Sequence, residues 1–193
     1  MNVTKKEFTI SVFSENHVGV LHRITTIFTR RGINIESITV SESEIHGVHR
    51  FNIVVTETED HIKKVVKQIE KQIEVLRSFY YPLSKIIYQE IALYKLPIKA
   101  VQNGAGIEQI IRDNHARILT VEKDFLVIEK TGHKGETQAL FEQLEPFGLL
   151  EFVRSGRVAL AKSAKSFKDY LKVPELGKRI TEQEVREMAE KID

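Results

Sequence analysis

Two asparagines and one glycine, Asn16, Asn34 and Gly19, give this chain its clearest means of holding a small polar molecule. The stretch Glu15-Asn16-His17-Val18-Gly19-Val20-Leu21-His22-Arg23 joins a segment of strand period to one of helical period. At such a junction the first N–H groups of the helix lack partners and, with the helix dipole, hold a carboxylate. Asn16 is expected to cap the helix start, and Gly19 lets a ligand come close to the main chain. Asn34 follows Gly32-Ile33 at the start of the next strand, expected beside the same loop, where its side-chain oxygen would accept from an ammonium group. A carboxylate holder and an ammonium acceptor in one small site describe an α-amino acid. The plainer reading has Asn16 as a cap and Asn34 as a turn residue, and these residue types alone leave both open.

Other chemistries find less support. With no cysteine among 193 residues, disulfide scaffolds, thiolate metal sites, thiol nucleophiles and thioredoxin-like chemistry are excluded. His46 and His49 stand three apart around Gly47, where hairpin residues tend toward opposite faces, and only Glu42 and Glu44 supply nearby oxygens, so no metal site is expected. Gln102-Asn103-Gly104-Ala105-Gly106-Ile107 opens a helix but lacks the third glycine of a dinucleotide fingerprint, and no phosphate loop of the GxxxxGKS/T type occurs. Val153-Arg154-Ser155-Gly156-Arg157 lacks the first glycine of a nucleophile elbow, and Glu57 and Glu59 read as solvated surface. No catalytic role of its own is expected.

The elements that must position the loop follow from periodicity. Phe8, Ile10 and Val12 alternate with polar neighbours, as a strand does. Leu21, Ile24 and Phe28 then fall at i, i+3 and i+7, the stripe of a helix beginning near Val18 and stopping at Arg31-Gly32. Ile33 to Val40 and the alternating Phe51, Ile53 and Val55 make a hairpin about a turn at Ser43 to Gly47. Ile62, Val65, Val66, Ile69 and Ile73 mark a second helix, and Val75 to Tyr81 a closing strand. This βαββαβ order packs two helices on one face of a four-stranded antiparallel sheet, the ferredoxin-like arrangement. The order recurs after Pro82. A strand runs from Ile86 to Leu93, a short helix carries Ile107, Ile110 and Ile111, and strands Arg117 to Val121 and Phe125 to Ile128 turn about Lys123-Asp124. A helix with Leu140, Phe141 and Leu144 and an extended segment Leu149 to Val153 complete it. The expected fold class is α+β, with two tandem ferredoxin-like domains over residues 6–82 and 85–162. Residues 163–193 read as a polar tail with helical fragments around Phe167 to Leu171 and Glu182 to Lys191, lying on the second domain or mobile.

Charge and hydropathy narrow the partners. Lys and Arg number 29 against 27 Asp and Glu, a net charge of +2, so the chain is neither a polyelectrolyte nor a nucleic-acid arm. A βαββαβ sheet also serves RNA binding, but Phe8 and Phe51 are too few aromatics for a base-stacking platform. No apolar run approaches the ~20 residues that cross a bilayer, and Lys5, Lys6 and Glu7 interrupt the start. A cytoplasmic protein with no membrane or nucleic-acid partner is expected.

The segment from Phe8 to Val40 carries Glu-Asn-x-x-Gly-x-Leu-x-Arg at 15 to 23 and Arg31-Gly32-Ile33-Asn34-Ile35-Glu36-Ser37-Ile38-Thr39-Val40. It resembles the ACT domain of the acetolactate synthase (acetohydroxyacid synthase) small regulatory subunit family, which the second run sets apart from ACT domains in general. Gly-Ile-Glu at 106 to 108 and Arg-Ser-Gly-Arg-Val-Ala-Leu at 154 to 160 carry the resemblance through the second domain, and the tail from Ser163 departs from it. The resemblance implies a non-catalytic regulatory subunit in branched-chain amino-acid biosynthesis. It implies a homodimer through ACT domains, feedback inhibition by valine or a related branched-chain amino acid bound at the dimer interface, and association with a catalytic large subunit. That subunit would carry thiamine diphosphate, Mg²⁺ and FAD; this chain would carry no cofactor. The effector-binding residues would be Asn16, His17, Val18, Gly19, Val20, Leu21, Asn34 and Ile35. The carboxylate would meet N–H groups from Gly19 to Leu21, the ammonium Asn34, and the aliphatic chain the Leu21 and Ile35 side. The competing reading is a stand-alone tandem-ACT amino-acid sensor acting on another enzyme or on gene expression, for which a DNA-binding helix-turn-helix would be expected and no spare length is present.

Overall fold

The computed structural model describes residues 4–102 and 106–163. Strand β1 (Lys6–Glu15) turns Phe8, Ile10 and Val12 into the core, as their alternation requires. Helix α1 (Val20–Arg30) buries Val20, Ile24, Ile27 and Phe28. Ile24 and Phe28 fit either of two stripes, and the one completed by Val20 and Ile27 packs, which leaves Leu21 47% exposed instead of buried. Gly32, with φ of +63°, ends the helix as expected, its N–H donating to Thr29 O at 3.1 Å. Strands β2 (Ile35–Glu42) and β3 (Val48–Glu57) form the hairpin. Helix α2 (Glu59–Ile69) is capped by Thr58, whose hydroxyl accepts from the His61 N–H at 3.4 Å. It stops at Ile69, so Ile73 leaves the expected stripe and sits in the following turn, 88% exposed. Strand β4 (Val75–Pro82) closes the unit. The sheet order is β2-β3-β1-β4, antiparallel throughout, with both helices packed on one face.

The second set of elements repeats the order with additions. Strand β5 (Ile86–Pro97), helices α3 (Lys99–Gln102) and α4 (Ile107–Asp113), strands β6 (Arg117–Val121) and β7 (Phe125–Gly132), helix α5 (Lys134–Leu144) and strand β8 (Glu151–Arg154) follow in turn. The antiparallel order is β6-β7-β5-β8, and a further strand, β9 (Val158–Ala161), also pairs with β5. Helix α3 and strand β9 were not expected from periodicity, and β5 and β7 run further than their alternation suggests. Tyr94 is the largest fully buried side chain of this core; its hydroxyl donates to Thr137 O at 2.6 Å, and burial pushes its phenol up to about 12.

The fold class is thus α+β with two ferredoxin-like sheets. The chain divides into two compact units, one running to Ile87 together with the segment from Ala159, the other from Tyr88 to Val158. The division falls inside β5, a few residues past the boundary expected at Pro82 to Lys85. The tail expected over 163–193 lies outside the described residues beyond Ser163, as do Asn103, Gly104 and Ala105. Among the described residues no helix is long and apolar enough to cross a membrane.

Candidate functional site

Between β1 and α1 the chain passes through Asn16, His17, Val18 and Gly19. Two main-chain bonds tie this loop down: the Glu15 N–H donates to Glu74 O at 2.9 Å and the Asn16 N–H to Gly47 O at 3.1 Å. It is held between the turn after α2 and the turn of the β2–β3 hairpin. Gly19, with φ of +87°, occupies the capping position of α1, and no side chain caps the helix. The cap expected of Asn16 is therefore not formed. A left-handed residue directly before Val20 reverses the chain without a side-chain cap, and Asn16 stays three positions back with its side chain exposed.

The result is a row of free donors. Among the described residues the N–H groups of Val18, Gly19, Leu21 and His22 have no main-chain acceptor, and that of Val20 reaches only His17 O at 3.4 Å. Donors of this kind at the start of an eleven-residue helix suit a carboxylate. The apolar residues around them divide. Val18 is 100% exposed and Leu21 half exposed, both available to an aliphatic ligand, whereas Val20 is 4% exposed within the core and offers only its main chain. Ile35, expected beside Leu21, packs partly buried against that same core but at the other end of the sheet, opposite Val55. His17 stands 3.7 Å from the Glu15 carboxylate.

Asn34 does not join this group within one chain. Ile35 lies opposite Val55, which lies opposite Phe8, while Asn16 follows Glu15, which lies opposite Val48. Phe8 and Glu15 are separated by roughly 23 Å of strand. Asn34 and the 16–21 loop therefore sit at opposite ends of the sheet, contrary to the expected adjacency. The reason is the crossover: α1 runs back along β1, so β2 must begin where β1 began.

Contacts that residue spacing did not suggest hold the loop. Arg23 on α1 pairs with Glu74 at 2.5 Å, fifty-one positions later in the chain, and no local signal connects the two. Glu42, at the end of β2, accepts from the Gly47 N–H and contacts His46, and these bonds hold its carboxyl below the usual carboxylate range. In the second unit the open side of the sheet has a shallow hollow of about 230 Å³ lined by Leu93, Lys95, Phe125, Val127, Glu151 and Val153. It is smaller than ordinary ligand pockets, and its two charged residues, Lys95 and Glu151, pair with each other at 3.7 Å. Among the described residues no group of three metal-ligating side chains lies together.

Two family models match the chain. One described as "AHAS small subunit-like ACT domain" matches residues 10–77, and one described as "Small subunit of acetolactate synthase" matches residues 89–163. The acetolactate synthase small subunit of Bacillus subtilis is 38% identical over 162 residues, covering 83% of this chain and 92% of the relative. That of Mycobacterium bovis is 33% identical over 163 residues, covering 84% and 96%. The crystal structure of the acetolactate synthase small subunit from Thermotoga maritima is similar with a TM-score of 0.75 at 30% identity, covering 83% of this chain and 99% of that one.

Proposed function

The chain belongs to the acetolactate synthase small-subunit family, and from that membership we propose that it binds valine or a related branched-chain amino acid and conveys feedback inhibition to a catalytic large subunit. The observation that carries the effector reading is the set of N–H groups of Val18, Gly19, Leu21 and His22, which have no main-chain acceptor among the described residues, around the left-handed Gly19. They receive the carboxylate, and the exposed Val18 and Leu21 receive the aliphatic chain.

The ammonium acceptor, Asn34, comes from a second copy. β2 is an outer strand of its sheet, with β3 as its neighbour among the described strands. Antiparallel pairing of two β2 strands about a two-fold axis sets the start of one beside the end of the other. The end of β2 opens into the turn whose Gly47 carbonyl holds Asn16. Asn34 of the partner subunit thus approaches the Asn16–Leu21 loop, and each dimer has two sites. The separation of Asn34 from the loop in a single chain supports this arrangement, because the site is incomplete without a partner.

In this reading residues 6–82 bind effector and dimerise, and residues 85–162 form the second domain. Thiamine diphosphate, Mg²⁺ and FAD belong to the large subunit, where the carbon–carbon bond is made, and the complex works in the cytoplasm. Calorimetry on the full chain tests the site: valine binds the unaltered protein, and Asn34→Ala and Gly19→Asp each weaken it while stimulation of the large subunit survives. Unchanged binding in both variants, or none in the unaltered chain, overturns it.

A further inference from the structure

The effector loop leans on a charged contact that the binding role leaves unused. Arg23, on the second turn of α1, reaches back toward the loop: Nη2 donates to Glu74 Oε1 at 2.5 Å, and Nη1 lies 3.1 Å from where a Cβ on residue 19 would stand. Glu74 also receives the Glu15 N–H on its main-chain carbonyl at 2.9 Å. One residue of the α2–β4 turn therefore anchors the end of β1, directly before the loop, and through Arg23 sets a guanidinium beside Gly19 at the loop's far end. The Arg23 Nε is buried without a hydrogen-bond partner. An unsatisfied buried donor is unfavourable, which offsets part of what this partly buried ion pair contributes to stability.

We propose that Arg23 is a positioning residue for the effector site. Clamped to Glu74, its guanidinium packs behind Gly19, keeps that residue in its left-handed turn, and so aims the Val18 to His22 N–H groups outward. The clamp also ties effector occupancy to the α2–β4 turn, which carries the exposed Ile73. The inference rests on the effector reading of the loop.

The test uses the full chain, valine as the probe, and the assembled large subunit. Arg23→Gln and Glu74→Gln are each expected to raise the valine dissociation constant about tenfold, a typical coupling between contacting residues. Stimulation of the large subunit and the melting temperature should stay near those of the unaltered chain, which a merely structural role would not predict. The double variant should bind no more weakly than either single one, because both remove the same clamp. The charge-exchanged pair Arg23→Glu with Glu74→Arg should recover part of the affinity. A single variant that binds valine like the unaltered chain, or a double variant whose loss is the product of the two, overturns the proposal. If the single variants unfold, the charge-exchanged protein decides: folded without recovered affinity, it overturns the clamp. An unaltered chain that binds no valine overturns the effector reading and the clamp with it, whereas binding by that chain and equally by the variants overturns the clamp alone.

Discussion

Subunit mixing distinguishes a site shared between two chains from one built within a single chain. One chain carries Gly19→Asp. Aspartate tolerates the left-handed region better than most residues, and its Cβ meets only the far end of the Arg23 side chain at 3.1 Å, so the fold survives while the new carboxylate draws on the Arg23 guanidinium and adds a negative charge that repels the effector carboxylate. The other chain carries Asn34→Ala, which removes one hydrogen bond to a charged group, about 1.5–3 kcal/mol or one to two decades of affinity. Either homodimer has two damaged sites. In a heterodimer with shared sites, one site collects both lesions and the other has neither. Random mixing of equal amounts makes about half of the dimers heterodimers, so roughly a quarter of all sites regain full affinity. Heterodimers purified on two different tags should show valine binding at about half of their sites, with inhibition of the large subunit partly restored. A site contained in one chain restores nothing in either preparation. Purified heterodimers with no high-affinity valine binding would refute the two-fold placement of Asn34.

Three further outcomes test the physical account. Tyr94→Phe removes the 2.6 Å bond to Thr137 O from the second core and should cost about 0.5–1.5 kcal/mol in denaturant unfolding; in the intact protein, tyrosine absorbance should show Tyr94 still protonated until about pH 12. Glu57 is held below the ordinary 4.5 by the Thr58 N–H and by Lys5, and Glu129 by the Thr131 hydroxyl and Arg117. Folded-state values below the unfolded ones give stability that is present above 4.5 and lost as pH falls through the folded values, so the urea midpoint should decline only below about pH 4.5; a decline already complete by about pH 6 would contradict this. Thr58→Ala should cost about 0.5–1 kcal/mol of global stability, at the low end for a cap because the bond to the His61 N–H is 3.4 Å long.

Periodicity made the first sheet legible because residue type alternates along β1 even though Thr9 and Ser11 are buried as fully as Phe8, Ile10 and Val12; the apolar set faces the helices and fixes the register. It also made α2 legible, though not its end, since Ile73 extends the apolar stripe past the last helical turn without being helical. Strand β9 stayed hidden because Val158 and Leu160 are exposed and only Ala159 between them is buried, a pattern too weak to mark a strand. At the candidate site, the loop and Gly19 were readable from residue type. The cap was misplaced because side-chain capping and a left-handed glycine solve the same problem, and sequence does not say which is used. Asn34 was misplaced for a different reason: strand polarity decides at which end of the sheet a residue lies, and that polarity is visible only once the crossover through α1 is traced.

The two helices of the first unit start in different ways, α2 with a hydroxyl bonded to its first turn and α1 with a bare glycine. The first turn of α1 is therefore expected to open more readily than its counterpart, with faster amide exchange there as the readout. A ligand seated there must suppress those fluctuations before its own contacts register as binding free energy. Any change that alters the population of the closed turn rescales the apparent dissociation constant by the same factor. Sensitivity to the effector is thereby adjustable from positions that never touch it.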